Sequence, residues 1–129
     1  MRTPSFAAVT ALAIGAAAVV PTSANALSVR FSWSGIPACA SISPAFDLQG
    51  VPAGTKRLSF LMTDLNVPAF RHGGSTIGYD GNAVRRGAIR YTGPCPPRGE
   101  HHNYRWVVQA LDAAGKVLDT GSAEATFPP

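Results

Sequence analysis

Four side chains of this sequence have types and spacings suited to chemistry. Asp64 and His72 bracket the segment DLNVPAFRH, and His102 and Tyr104 close the segment GPCPPRGEHHNY at residues 93–104. Imidazolium and a tyrosine hydroxyl donate hydrogen bonds to phosphoryl oxygens, while a carboxylate fixes an imidazole tautomer or accepts from an ammonium group. A free imidazole titrates near pH ~6.5, so anion binding by such a set depends on pH. For each histidine taken alone, the competing reading is a turn cap or a solvated ring.

Two other chemistries use the same residues. A hydrolase would need His102 as general base, Asp64 to orient it and Ser43 or Ser75 as nucleophile, but the sequence has no G-x-S-x-G elbow. A metal site could draw on Asp64, His72 and His102, but neither H-x-H nor H-E-x-x-H spacing is present, and two cysteines do not complete a zinc site. Neither a metal nor a cofactor is expected.

The elements that must position these residues read as strands. Val29, Phe31 and Trp33 alternate with polar neighbours, and residues 44–48 form a second short segment. Leu58, Phe60 and Met62 share one face of residues 57–63, a strand that delivers Asp64 into the loop where Pro68 ends it. Residues 75–79 read as a short edge strand, Asp80-Gly81-Asn82 as a turn and residues 88–92 as a further strand. The prolines at 94, 96 and 97 remove amide donors and stiffen the next loop. Tyr104, Trp106, Val108 and Ala110 then line one face of a strong strand, residues 112–115 turn, and residues 116–120 and 123–127 close the sheet. No apolar helical period persists beyond the N-terminal segment. With about seven short strands in turn-rich spacing, the fold class is all-β, as two packed antiparallel sheets in a single domain.

Residues 1–26 read as a secretory signal peptide. Arg2 supplies a basic start, residues 7–20 are apolar, and Pro21 precedes Ala24-Asn25-Ala26, an A-x-A cleavage signal with the cut after Ala26. The apolar run is shorter than the roughly 20 residues that span a bilayer, so no stable membrane span is expected. The mature domain is then residues 27–129, periplasmic or secreted. Its ten Lys/Arg against seven Asp/Glu give a net charge of +3, compared with +4 for the whole sequence. In an oxidising compartment Cys39 and Cys95 read as one disulfide, the alternative being two separately buried thiols. Arg85, Arg86, Arg90, Arg98 and Arg105 form a loose basic cluster. A nucleic-acid surface would want interleaved aromatics and an intracellular address; export argues instead for a solvated basic face or for steering of anions towards the pocket, and no nucleic-acid partner is expected.

Several of these segments resemble the phosphatidylethanolamine-binding proteins (PEBP), whose bacterial members are also called Raf-kinase-inhibitor-like. Gly93-Pro94-Cys95-Pro96-Pro97, Gly99, His102, Tyr104 and Ala110-Leu111-Asp112 follow that family's second signature. Ser43-Pro44-Ala45-Phe46, Val51-Pro52-Ala53-Gly54-Thr55-Lys56 and the stretch from Asp64 to Pro68 with His72 match its upstream motifs. The resemblance spans nearly all of residues 31–112. It implies a β-sandwich of PEBP type with Greek-key connections and little or no helix. It also implies a pocket for phosphate or a phosphorylated head group, lined by Asp64, His72, His102 and Tyr104, with the Gly93-Pro94 backbone as one wall. Spacing from Ala110 gives the family role to His102, leaving His101 on the rim. Leu65 and Asn66 replace the family's Pro-Asp, and Gly73 replaces the Trp that follows its first histidine. These departures remove a carboxylate and an aromatic wall, which favours a bare small anion over a full phospholipid head group.

The expected function is therefore that of a non-catalytic exported protein binding a phosphate-like anion or phospholipid head group. The alternative is an inhibitor or modulator of another protein, of protease or kinase type, acting through the same loops. A hydrolase ranks below both.

Overall fold

The computed structural model describes residues 26–129, together with Gly15 and Ala17. The proposed signal peptide lies almost wholly outside the described residues. No described helix is long and apolar enough to cross a membrane, and no helix forms among the described residues at all.

Among the described residues, seven strands form two antiparallel sheets. They are β1 (Ser28–Phe31), β2 (Phe46–Gln49), β3 (Arg57–Asp64), β4 (Thr76–Gly78), β5 (Ala83–Val84), β6 (His102–Leu111) and β7 (Val117–Phe127). One sheet has the order β1-β2-β5 and the other β4-β3-β6-β7. The chain therefore passes between sheets after β2, after β4 and after β5. The period-two pattern produces this arrangement directly: in β3 and β6 every second side chain is buried, so Leu58, Phe60 and Met62 share a face with Tyr104, Trp106, Val108 and Ala110. Val29, Phe46, Leu48 and Val84 of the other sheet complete one core. Phe46 bridges the two layers, with its ring 4.9 Å from Phe60 and 5.1 Å from Trp106.

Two sequence readings need correction. Residues 88–92 are not a strand; the short β5 lies earlier, at Ala83–Val84. Hydroxyls take the amides a ladder would have used: Ser43 Oγ accepts from Ile89 N–H and Ser75 Oγ from Arg90 N–H, while the His72 carbonyl accepts from Thr92 N–H. The segments expected at residues 116–120 and 123–127 are one continuous strand, Val117–Phe127, because Gly121 does not break it. Gly121 is buried opposite Val108, where a Cβ would press on the Leu27 carbonyl, so the glycine marks a close backbone approach.

Candidate functional site

β3 ends where β6 begins, and their register brings the separated sequence segments together. Asp64 pairs with Tyr104 across the ladder, and His102 stands two residues earlier on the same face of β6. Asp64 then turns the chain: its Oδ1 accepts from the amides of Asn66 (2.9 Å) and Val67 (3.1 Å), an Asx-type turn that ends the strand. Asn66 Oδ1 in turn accepts from Asn103 N–H at 2.7 Å, tying the loop back to β6. The chain returns through Gly73, whose carbonyl accepts from Met62 N–H at 2.9 Å, and this bridge seats the buried His72 beside the sheet.

Asp64, His72, Gly93, His102 and Tyr104 line one open pocket of about 370 Å³, together with Val67, Phe70, Thr92, Cys95 and Pro97. Tyr104 stands between the imidazoles, with ring centroids 5.5 Å from His72 and 6.3 Å from His102. Pro94 is not in the lining. It is buried, and its carbonyl accepts from Cys39 N–H at 2.9 Å, so the wall is made by Gly93 and Cys95 instead. Cys39 and Cys95 are joined in a disulfide that fastens this loop to residues 37–43. His101 is exposed, with Nδ1 directed at the Pro128 carbonyl.

Each ring nitrogen has a defined role. His72 Nδ1 donates to the Thr92 carbonyl at 2.7 Å, which leaves Nε2 as the nitrogen available to a ligand. His102 Nδ1 donates to Asp64 Oδ2 at 2.7 Å, and Nε2 donates to Glu100 Oε2 at 3.1 Å. The Asp64 hydrogen bond first, then that of Glu100, outweigh burial and hold His102 above its ordinary pKa. Burial pushes the Asp64 carboxyl up, but the His102 hydrogen bond and the Asn66 and Val67 amides together pull it below its ordinary value. Burial, then the Asp64 charge, raise the Tyr104 phenol well above its usual range, so it remains an O–H donor. The site is thus an imidazole held between two carboxylates, beside a second imidazole and a phenol whose pKa is raised.

This arrangement suits hydrogen-bond donation better than proton abstraction. Both ring nitrogens of His102 face carboxylate oxygens, so neither is free to accept a proton in this arrangement. The two candidate nucleophiles are engaged elsewhere: Ser43 is fully buried on Ile89 N–H, and Ser75 accepts from Arg90 N–H. Among the described residues, no group of three or more His, Cys, Asp or Glu side chains is arranged to hold a metal ion. The sequence reading missed Glu100, although its position two residues before His102 repeats the strand period and was the available signal.

No family model matches the sequence, and no curated protein matches it. Solved structures do. CT736 of Chlamydia trachomatis, a phosphatidylethanolamine-binding protein homologue, superposes with a TM-score of 0.61 at 19% identity, over 82% of this chain and 99% of that one. YbcL of Escherichia coli, a member of the mammalian PEBP family, superposes with a TM-score of 0.52 at 19% identity, over 67% of this chain and 80% of that one. This chain has the PEBP fold. Within that fold, the pocket lies where the sequence motifs of residues 64–72 and 93–104 meet.

Proposed function

We propose that this chain is an exported, non-catalytic member of the PEBP family that binds a small phosphate-like anion in the pocket between residues 64–72 and 93–104. One observation carries the reading. Two imidazoles line the same pocket, each with Nδ1 fixed by the protein, so that His72 presents Nε2 and His102 presents an Nε2 covered by the exposed Glu100 carboxylate. Tyr104 adds a hydroxyl that keeps its proton. Export is supported by the signal-like pattern of residues 1–26 and by the Cys39–Cys95 disulfide.

The test is to follow the His72 and His102 imidazole resonances by NMR during addition of phosphate and of phosphoethanolamine. Both sets of resonances are expected to shift at millimolar ligand. If neither histidine responds, the anion pocket is wrong.

A second reading, modulation of another protein through these loops, has its own support. Val67 and Phe70 are 45% and 52% exposed beside the pocket, and Leu61 on the outer face of β3 is 53% exposed. Inhibition of a protease or kinase that survives replacement of both His72 and His102 would favour it over anion binding.

A further inference from the structure

Asp64 occupies Nδ1 of His102, so Nε2 is the only N–H this imidazole can offer a ligand, and Glu100 already accepts it at 3.1 Å. The Glu100 carboxylate is not built in as Asp64 is. Its side chain is 59% exposed, against 6% for Asp64, and it follows the left-handed Gly99 at the end of the proline loop. Glu100 also lines a second cavity, of about 620 Å³, on the outer side of that loop. Arg98 lines the same cavity, whereas His102 does not. The carboxylate thus rests on His102, while its residue shares the second cavity with the cationic Arg98.

We propose that Glu100 is the specificity-determining residue of the pocket: its carboxylate holds the anion position on His102 Nε2, and a ligand enters by displacing it towards the outer cavity and Arg98. The inference rests on the anion-pocket reading above. A tethered carboxylate competes at high effective concentration with any free carboxylate of the same chemistry. A phosphate offers more acceptor oxygens than acetate in a pocket that His72 also lines, so it displaces Glu100 where acetate does not. Selectivity for phosphoryl over carboxyl ligands follows from an internal competitor rather than from an added contact.

Around His102 the other titratable groups are Asp64 from β3, Tyr104 from β6 and His72 from the loop after β3, while Arg98 and His101 flank Glu100 along the chain. Glu100→Gln removes only the competing charge from an exposed loop position. Phosphate and acetate binding are read from the imidazole resonances of the wild-type and variant chains near pH ~6, where imidazole is largely protonated. In the variant, the His102 titration midpoint is expected to fall, phosphate to bind roughly fivefold more tightly and acetate to become a detectable ligand. An unchanged His102 midpoint would show that Glu100 does not sit on Nε2 in solution and would overturn the inference. So would wild-type phosphate binding that the variant does not improve, and in that case the pocket reading stands. If no resonance moves in either chain, the pocket reading fails and takes the inference with it.

Discussion

Both oxygens of Asp64 are committed inside the protein: Oδ1 to two loop amides and Oδ2 to His102. Asp64 thereby turns the chain and holds the His102 ring in place. The linkage has a definite sign. His102 has a raised pKa in the folded state, so its contribution to stability is complete below its ordinary value of 6.5 and is lost as pH rises through the higher folded value. Asp64 has a lowered pKa, so its contribution is complete above 3.8 and is lost as pH falls through the lower folded value. The pair therefore stabilises most between these limits. Asp64→Asn keeps an oxygen for the Asn66 and Val67 amides but removes the charge. In that variant the His102 midpoint should drop, and the loss of urea resistance above pH ~6.5 should flatten. A His102 midpoint equal to that of the wild type would rule out Asp64 as the dominant brace.

At the scale of elements, the proline loop is a wall only because other segments hold it. Gly93 packs so tightly on the Ala40 carbonyl that a Cβ would collide with it, Ser41 Oγ accepts from Gly93 N–H at 3.1 Å, and the disulfide closes the same contact across 56 residues of sequence. In the chain-entropy model a loop of that length contributes roughly 4 kcal/mol, acting through the unfolded state. Replacing Cys39 and Cys95 together by alanine should lower the unfolding free energy in urea by about that amount. A transition at the same urea concentration with and without reductant would contradict it. The loop from Asp64 to His72 needs no such staple, since Asx-type hydrogen bonds and the Met62–Gly73 bridge fix both ends.

At the scale of the molecule, the two sheets cohere through a single aromatic layer, and Phe46 is its bridge. Phe46 is 2% exposed and touches rings from both neighbouring strands of the larger sheet. Phe46→Ala should destabilise by about 3–5 kcal/mol, because removing a buried aromatic leaves a cavity that rigid strands cannot close. Denaturant unfolding checks this: a change below about 1 kcal/mol would mean that the sheets are held apart from this contact. Such a loss should also disturb the pocket, since β3 and β6, which carry Asp64, His102 and Tyr104, form the other side of the same layer.

Much of this was legible in the sequence, because a strand writes its own burial pattern. Alternation at residues 57–63 and 104–110 identified the two central strands and their buried faces, and Pro68 and the 94–97 prolines marked where ladders stop, since those residues lack a donor. The residue types at 64, 72, 102 and 104 marked side chains that meet around one pocket. Pairings between distant segments were decided by the tertiary structure, because they depend on which groups compete for the same hydrogen bond once packed. That competition drew residues 88–92 onto serine hydroxyls instead of a ladder, turned the Pro94 carbonyl towards Cys39 and away from the pocket, and set Glu100 on the one nitrogen of His102 that Asp64 left open.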